Sequence, residues 1–219
     1  MEIEIWSDVM CPFCYIGKRR LEQALEQWGH KDRVHVEWKS FQLNPHLKTM
    51  PGKSLNEYLA GTKGWTLQYA KDMNDYVTEM AKEAGLEYHM DKAVVANSFD
   101  AHRLIQLART KGLGDAAEER LFRAYFTEGL NTADHDVLVT LAAEIGLDAE
   151  MARQVLQTDA FAEEVERDMY EASQVGVRGV PFFVFDRRYA ISGAQPVELF
   201  VQTLEKSFAS FVNTDASPE

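Results

Sequence analysis

A pair of cysteines separated by two residues constrains this chain more than any other feature of its sequence. Cys11 and Cys14 follow a short apolar alternation, residues 3–6, that is typical of a buried strand. They precede a stretch, residues 18–28, whose apolar side chains share one helical face: Leu21, Leu25 and Trp28. The sequence therefore predicts that the pair lies where a strand passes into the N-terminus of a helix.

That position favours reactive thiol chemistry. The first turn of a helix carries unpaired N–H groups and the positive end of the helix dipole, which stabilise a thiolate relative to a thiol. Pro12 suits the first helical position, where its missing N–H costs nothing. We expect Cys11 to be the exposed, attacking sulfur. Cys14 lies one turn deeper, where it can close a disulfide with Cys11 and act as the resolving thiol.

The cysteine pair has two other interpretations. A structural zinc site usually needs four Cys or His ligands. The chain has only two cysteines, and its six histidines form no close pair at ligand spacing. Two unreactive buried thiols are disfavoured by the strand–turn–helix context. The sequence therefore predicts a redox pair that needs no metal and no organic cofactor.

Charge and hydropathy limit the partners. The chain has 219 residues and a net charge of −12, so nucleic acid and anionic membrane surfaces, which both require a basic face, are unlikely partners. The sequence contains no run of about eighteen apolar residues, so it predicts no membrane span. The first residues show no basic and apolar leader. We therefore expect a cytoplasmic protein, in a compartment where thiols are mostly reduced.

The order of predicted elements indicates an α/β fold with a large helical insertion. Residues 1–45 read as β-α-β, with the second strand over 34–41. Strands at 182–185 and 189–192 form a hairpin, followed by a helix from 197 to about 211 and a frayed tail, 213–219. Between them lies a helical block, in which helices are predicted near 55–59, at 66–84, from 97 or 98 to 112, at 116–126, up to 146, at 148–156 and at 161–176. We expect residues 1–45 and 177–212 to form one discontinuous domain and residues 46–176 to form an inserted helical domain.

Four segments together resemble a known family. The topology with a C-x-x-C motif after the first strand is similar to the thioredoxin fold, and the insertion between its halves is similar to that of the DsbA family. Within that family the chain resembles the FrnE-type branch over nearly its whole length. The segments that carry this likeness are Cys11-Pro12-Phe13-Cys14-Tyr15-Ile16-Gly17, Phe41-Gln42-Leu43-Asn44-Pro45, Gly179-Val180-Pro181-Phe182-Phe183-Val184-Phe185 and Ser192-Gly193-Ala194-Gln195.

The resemblance implies specific roles. It implies that the Val180–Pro181 bond is cis and faces the turn that Pro12 and Phe13 form between the cysteines. Val180 would then offer its backbone N–H and C=O to an extended substrate. One departure matters: DsbA itself carries Pro-His between its cysteines. Because Phe13 cannot carry charge or donate a hydrogen bond, we expect a site that is less oxidising than that of DsbA.

Four other residues have alternative interpretations. Ser7 and Asp8 can bond to the active turn or relay a proton, and a simple turn cap is an equal alternative. His102 can bind a substrate carboxylate, although a surface or satisfied core histidine is the more frequent case. Met10 can contribute to an adaptable peptide-binding surface or simply fill the core.

Three functions follow from these observations. The first is a thiol–disulfide oxidoreductase that exchanges disulfides with protein thiols and disulfides or with small thiols, with glutathione as a candidate co-substrate. The second is a glutathione-dependent isomerase or transferase, similar to the kappa-class transferases and hydroxychromene-carboxylate isomerases, which generally have Ser at the position of Cys11 and lack the second cysteine. The third is a chaperone-like protein that binds peptides in the cleft. The two cysteines favour the first.

Overall fold

The computed structural model describes residues 1–215, with side chains for residues 1–210. Short strands at both ends of this part of the chain enclose a long run of helices. The elements are β1 (Glu2–Ser7), α1 (Pro12–Trp28), β2 (His35–Ser40), α2 (Leu55–Lys63), α3 (Leu67–Glu83), α4 (Phe99–Arg109), α5 (Gly114–Arg123), α6 (His135–Glu144), α7 (Ala149–Gln157), α8 (Ala162–Gln174), β3 (Phe182–Phe185), β4 (Tyr189–Ser192) and α9 (Val197–Asp215).

The four strands form one mixed sheet in the order β2-β1-β3-β4. Strand β1 runs parallel to β2 and antiparallel to β3, and β3 and β4 form an antiparallel hairpin. In this register Ile5 lies between Trp38 and Phe183, and all three side chains are buried. The predicted order of β-α-β, helices and β-β-α is confirmed, and it makes β1 a central strand whose carboxyl end carries the cysteine pair.

Helices α1 and α9 cover one face of the sheet. Their apolar stripes pack with the inward side chains of β1 and β3 into one core cluster that includes Ile3, Ile5, Leu21, Phe183, Phe200 and Leu204. Each such large side chain contributes about 1.5–3 kcal/mol when it is fully buried. Helix α1 is therefore held firmly along its length, which fixes the position of its first turn.

Helix α1 begins earlier than its apolar stripe alone predicts. The stripe indicated residues 18–28, whereas the helix starts at Pro12. Gly29 ends it in the left-handed conformation and donates its N–H to Leu25 O at 3.1 Å. The residues of the cysteine motif thus belong to the helix itself.

The helical block shows several differences at predicted boundaries. Helix α2 begins after a capping box formed by Ser54 and Glu57. It extends to Lys63 rather than to about 59, because the residue that ends it in the left-handed conformation is Gly64. Helix α5 begins at Gly114, two residues earlier than predicted, and continues as a π-helical turn over 124–128. Helix α9 continues to Asp215, so the predicted fraying of residues 213–215 is wrong: the helical backbone outlasts the apolar stripe. The rest of that predicted tail, 216–219, lies outside the described residues.

A buried aspartate joins the helical block to the sheet. Asp168 of α8 accepts hydrogen bonds on its carboxylate from Ser40 N at 2.9 Å and Gln106 Nε2 at 2.6 Å. Its carbonyl oxygen accepts the indole N–H of Trp6 at 2.9 Å. These bonds fix α8 and α4 against β1 and β2.

The domain boundaries at residues 45–46 and 176–177 stay a prediction.

No helix within residues 1–215 combines the length and the apolar character that a membrane crossing requires.

Candidate active site

The cysteine pair occupies the junction of β1 and α1. Cys11 is the N-cap residue of α1, with extended backbone angles, and Pro12 is at the start of the helix. The turn is closed by two backbone hydrogen bonds, from Cys11 N to Asp8 O at 2.9 Å and from Cys14 N to Cys11 O at 3.0 Å. Both thiols are free. The cysteines therefore lie one helical turn apart at a helix N-terminus, which is the predicted arrangement.

The predicted exposure of Cys11 is wrong. Cys11 is 3% exposed and Cys14 is fully buried. Both belong to a core cluster that also contains Tyr15 and Tyr88, with Phe13 packed against it. Tyr88 comes from the segment between α3 and α4, and its hydroxyl donates to Pro12 O at 2.8 Å. Nothing in the cysteine motif reveals that a residue more than seventy positions away contributes to its cover.

An aromatic stack extends from this cover into the helical block. The ring of Tyr15 lies against that of Phe122, with centroids 4.9 Å apart, and Tyr88 lies against Phe126 at 4.7 Å. The hydroxyl of Tyr15 donates to Glu119 at 2.6 Å. Burial, followed by the contact with Glu119, raises the pKa of Tyr15 above its ordinary range. The helical block therefore contributes directly to the surroundings of the dithiol.

Val180 and Pro181 lie beside the cysteines. The thiol of Cys11 donates a hydrogen bond to the carbonyl oxygen of Val180 at 3.4 Å. The Val180–Pro181 peptide bond is cis. Within residues 1–215 no hydrogen bond from the Val180 N–H to another residue is present. The loop before β3 thus presents backbone polar groups next to the attacking sulfur.

Gly17 allows α1 to approach this loop closely. A Cβ atom at Gly17 would lie 3.0 Å from Pro181 Cγ and 3.0 Å from Phe183 Cζ. Such a distance is shorter than ordinary van der Waals contact, so a larger residue would push the helix and the loop apart. Gly17 therefore helps to set the separation between Pro181 and the helix that carries the cysteines.

The Cys14 thiol is a weaker acid than an ordinary cysteine thiol. Burial raises the pKa of the Cys14 thiol well above its ordinary value, and the neighbouring Cys11 adds to this rise. The backbone N–H of Asp8 and the hydroxyl of Ser7 oppose it. The Ser7 hydroxyl is fully buried and has no hydrogen bond of ordinary geometry. At rest Cys14 is therefore a protonated thiol in a dry environment.

His102 lies in the interior and not at a substrate surface. The side chain is fully buried, and Nε2 lies 3.5 Å from Asp8 Oδ1. A contact between His102 and a substrate carboxylate is therefore excluded by burial. Asp8 accepts hydrogen bonds from Leu43 N at 2.7 Å and Met10 N at 3.4 Å, which is the turn-capping alternative for this residue. Met10 is half-buried and packs against the core cluster.

Sequence reasoning missed Glu118. This residue of α5 is fully buried, and both of its carboxylate oxygens lack a hydrogen-bond partner in the described part of the chain. Burial raises the pKa of Glu118 to about 8, although the nearby His102 acts in the opposite direction. The sequence does contain a pattern that predicts its burial. Glu118 precedes the buried Leu121 and Phe122 by three and four residues, so it shares their helical face.

Residues 1–215 contain no cluster of three His, Cys, Asp or Glu side chains with the arrangement of a metal site.

Comparison with known proteins identifies the family and the fold of this chain. The family model described as "DSBA-like thioredoxin domain" matches residues 2–205. The crystal structure of a probable DsbA oxidoreductase, SCO1869 from Streptomyces coelicolor, superposes with a TM-score of 0.89 at 37% identity and covers 100% of this chain and 92% of that one. The α/β fold of thioredoxin type with its helical insertion, as predicted from the sequence, is confirmed.

Two structures of lower identity share this fold. A 2-hydroxychromene-2-carboxylate isomerase matches with a TM-score of 0.70 at 17% identity, over 100% of both chains. The cytosolic disulfide reductase DsbM from Pseudomonas aeruginosa, solved with GSH, matches with a TM-score of 0.67 at 19% identity, over 95% of this chain and 100% of that one. At these identities the likeness concerns the fold alone.

Proposed function

Because this chain belongs to the family of DSBA-like thioredoxin domains, we propose that it is a thiol–disulfide oxidoreductase whose redox pair is Cys11 and Cys14. The observation that carries the proposal is the contact between the Cys11 thiol and Val180 O at 3.4 Å, at a helix N-terminus. This contact brings a thiol to the point where an extended substrate can meet the free N–H and the carbonyl oxygen of Val180.

The first step of the proposed reaction forms a mixed disulfide. The Cys11 thiolate attacks one sulfur of a substrate disulfide, the substrate S–S bond breaks, and the departing substrate thiolate takes a proton from solvent. The helix N-terminus stabilises the attacking thiolate. The N–H and C=O of Val180 hold the substrate backbone on either side of its cysteine, in the manner of a short added strand.

The second step releases the substrate. Cys14 loses its proton and attacks the Cys11 sulfur, so that a Cys11–Cys14 bond forms and the bond from Cys11 to the substrate breaks. The substrate gains two electrons and the dithiol loses two. A second thiol compound, with glutathione as the candidate, restores the dithiol and is itself oxidised. In this scheme the chain needs neither a metal nor an organic cofactor.

Phe13 sets the direction in which the pair works best. It lies between the cysteines, where it offers no hydrogen bond and no charge to the Cys11 sulfur. The reduced form therefore gains little stabilisation, and the pair is a weaker oxidant than DsbA. We propose reduction or isomerisation of disulfides in the cytoplasm by a member of the FrnE-type branch, with residues 46–176 as the inserted domain that covers the site.

A glutathione-dependent isomerase is the second candidate, favoured by the structural likeness to hydroxychromene-carboxylate isomerase. Such a reaction would use one sulfur position and would not need Cys14. The two candidates therefore differ in what they require of the second cysteine.

Insulin reduction tests the proposal with three proteins. In the presence of glutathione, we expect the wild type to reduce insulin disulfides, C11S to be inactive, and C14S to accumulate a mixed disulfide visible by mass spectrometry. Turnover of a glutathione-dependent isomerisation that survives Cys14→Ser would favour the isomerase. Suppression of insulin aggregation that persists in C11S and C14S would favour a chaperone.

A further inference from the structure

A cavity of about 530 Å³ opens beside the loop that follows β2. Its walls come from this loop, from the start of α4 and from α8, and they combine apolar side chains with polar ones. The lining includes Gln42, Pro45, Phe99, Asp100, Glu166 and Met169. Two carboxylates are among the described residues that line the cavity, whereas no lysine or arginine is. The wall thus carries negative charge that no lysine or arginine of the lining compensates.

The loop that forms one wall of this cavity also contacts the cysteine turn. Leu43 donates its N–H to the Asp8 carboxylate at 2.7 Å. The carbonyl oxygen of Asp8 accepts the N–H of Cys11 at 2.9 Å. Gln42, the residue before Leu43, lines the cavity. Residues 42 and 43 therefore join the cavity to the turn that carries the attacking sulfur.

The proposed substrate-binding loop lies against the same part of the fold. Phe41 and Val180 both pack on one buried apolar cluster, which contains Trp6 and Ala172. Phe41 directly precedes the cavity residue Gln42. An extended substrate chain advances about 3.3 Å per residue. We therefore expect a side chain a few residues away from the substrate cysteine to reach the cavity.

Hydrogen bonds fix the orientation of Gln42 so that an acceptor is left at the cavity wall. Asn97 Nδ2 donates to Leu47 O at 2.8 Å and to Pro45 O at 3.3 Å, so the Oδ1 atom of Asn97 faces Gln42. Gln42 Nε2 donates to this oxygen at 3.0 Å. Gln42 is 5% exposed, and within residues 1–215 its Oε1 accepts no hydrogen bond. A nearly buried acceptor without a partner indicates a place where a ligand can donate a hydrogen bond.

One of the two carboxylates in the wall keeps its charge uncompensated. Asp100 is paired with Arg103 at 2.8 Å and with His135 at 2.8 Å. Glu166 is exposed, and it forms no ion pair with another residue of the described chain. His46 is the remaining titratable side chain of the lining, and it is also exposed. The cavity therefore has free negative charge at Glu166, which favours a ligand that is positively charged.

The apolar part of the wall fits the stem of a long basic side chain. Phe99 and Met169 are half-buried, and they line the cavity together with Pro45. Lysine and arginine bury their methylene stems along apolar surface and keep their charged heads in polar surroundings. Arginine suits this wall better than lysine, because its planar guanidinium has five donors and stacks on aromatic rings such as that of Phe99.

We propose that this cavity is a specificity site that receives an arginine side chain of a polypeptide substrate, a few residues away from the cysteine that Cys11 attacks. Glu166 and Gln42 Oε1 accept hydrogen bonds from the guanidinium, and Phe99 and Met169 cover its stem. The inference rests on the proposed function and names its substrate class, which is polypeptides with a basic residue near a disulfide. The net charge of −12 attracts the same substrates from a distance.

Peptide mixed disulfides test the specificity site at the first step of exchange. Each probe is a short blocked peptide whose single cysteine is joined to a coloured aromatic thiol, with Arg, Ala or Glu at one of several positions near the cysteine. The Cys11 thiolate attacks the peptide sulfur, the bond to the aromatic sulfur breaks, and the coloured thiolate is released. Stopped-flow absorbance with the reduced protein gives the second-order rate constant for each peptide.

The variants are E166Q and E166K, with E205Q on α9 as the matched control for net charge, since Glu205 is also exposed. At the position that reaches the cavity, we expect the wild type to react about fivefold faster with the Arg peptide than with the Ala peptide, and most slowly with the Glu peptide. In E166Q the ratio of the Arg to the Ala rate constant falls about threefold. In E166K the Glu peptide becomes the fastest. E205Q keeps the wild-type ratio, and all of these proteins react equally with the symmetrical aromatic disulfide, which reports an intact dithiol.

Failure of the inference and failure of the proposed function give different results. Equal rate constants of the wild type for the Arg, Ala and Glu peptides at every position would refute the specificity site and leave the proposed function intact. An unchanged ratio in E166Q would do the same, and so would an equal loss in E166Q and E205Q, because the preference would then come from net charge. Release of the coloured thiol by C11S at the wild-type rate, or no release by the wild type, would refute the proposed function and the specificity site with it.

Discussion

The thiol of Cys11 and the carbonyl oxygen of Val180 lie 3.4 Å apart, although 169 positions separate the two residues in the chain. One is at the N-terminus of α1 and the other precedes β3, so the antiparallel pairing of β1 with β3 brings them together. The sheet therefore assembles the proposed site from both halves of the fold.

Gly17→Ala tests the close approach of α1 to the Pro181 loop. The added Cβ would lie 3.0 Å from both Pro181 Cγ and Phe183 Cζ. We expect a loss of about 1–3 kcal/mol in the free energy of unfolding and slower disulfide exchange, measured by urea unfolding and insulin reduction. Gly61→Ala is the matched control in α2, with no atom within 4 Å of the new Cβ, and should gain up to about 1 kcal/mol. Equal stability changes in the two variants would contradict this account of Gly17.

Tyr88→Phe tests how the helical block is attached to the cysteine turn. The change removes the hydrogen bond of 2.8 Å from the hydroxyl to Pro12 O and keeps the ring stacked on Phe126. We expect a loss of about 1 kcal/mol in the free energy of unfolding and faster alkylation of Cys11, since its cover is loosened. Tyr76→Phe, at a side chain that is 59% exposed, should change neither quantity. An alkylation rate that is the same in all three proteins would show that Tyr88 does not shield the thiol.

Asp168→Asn tests the junction between helices and sheet. Besides its hydrogen bonds to Ser40 N and Gln106, the carboxylate lies 3.2 Å from Arg109 Nη1. The variant removes the negative charge that accepts these hydrogen bonds, whereas Arg109 keeps its ion pair with Glu37, so we expect about 2 kcal/mol of destabilisation in urea. Asp75→Asn, on an exposed helical pair with Lys71, should cost less than about 0.5 kcal/mol. Similar effects of the two substitutions would show that Asp168 is not a structural anchor.

The stability of the wild type should fall as pH rises from mildly acidic to mildly alkaline. Burial raises the pKa of Glu118 to about 8, whereas an unfolded glutamate titrates near 4.3, as a typical value. Between these values the folded chain holds a proton that the unfolded chain has lost, so stability decreases by up to about 1.4 kcal/mol per pH unit. The raised pKa of His102 acts with the same sign: its stabilising proton is bound at low pH and lost as pH rises through the folded pKa.

Urea unfolding of the wild type and E118Q checks this dependence. At about pH 5 the unfolding free energies of the two proteins should be close, and the advantage of E118Q should widen toward about pH 8 by a few kcal/mol. A residual slope from His102 is expected in E118Q. Parallel pH profiles of the two proteins would mean that Glu118 is ionised in the folded state at neutral pH.

The fold could be predicted from the sequence because the patterns that specify each element are local. Apolar alternation in β1 and β2, the apolar run of β3 and the stripes of the helices each specify an element, and the order of elements specifies the topology. The position of Cys11 as an N-cap and of Pro12 at the start of α1 followed in the same way.

The residues that cover the site and those in its interior could not be predicted from the sequence. Tyr88 lies in a distant segment and helps to bury Cys11. No sequence pattern around Tyr88 predicts that it contacts the cysteine turn. His102 was considered as a substrate ligand, but the packing of α4 against α5 places it inside the protein beside Asp8. Such positions depend on how elements pack, and periodicity within one element does not determine this packing.

The most direct test of the central claim is a redox titration of the wild type in glutathione buffers of graded composition. After acid quenching and alkylation of free thiols, mass spectrometry gives the fraction of chains with a Cys11–Cys14 bond. The account predicts one two-electron transition in which both cysteines lose their thiols together, at a more reducing potential than that of DsbA, and no such transition in C11S or C14S. Failure to form the Cys11–Cys14 bond at any glutathione ratio, or its formation only after unfolding, would contradict it.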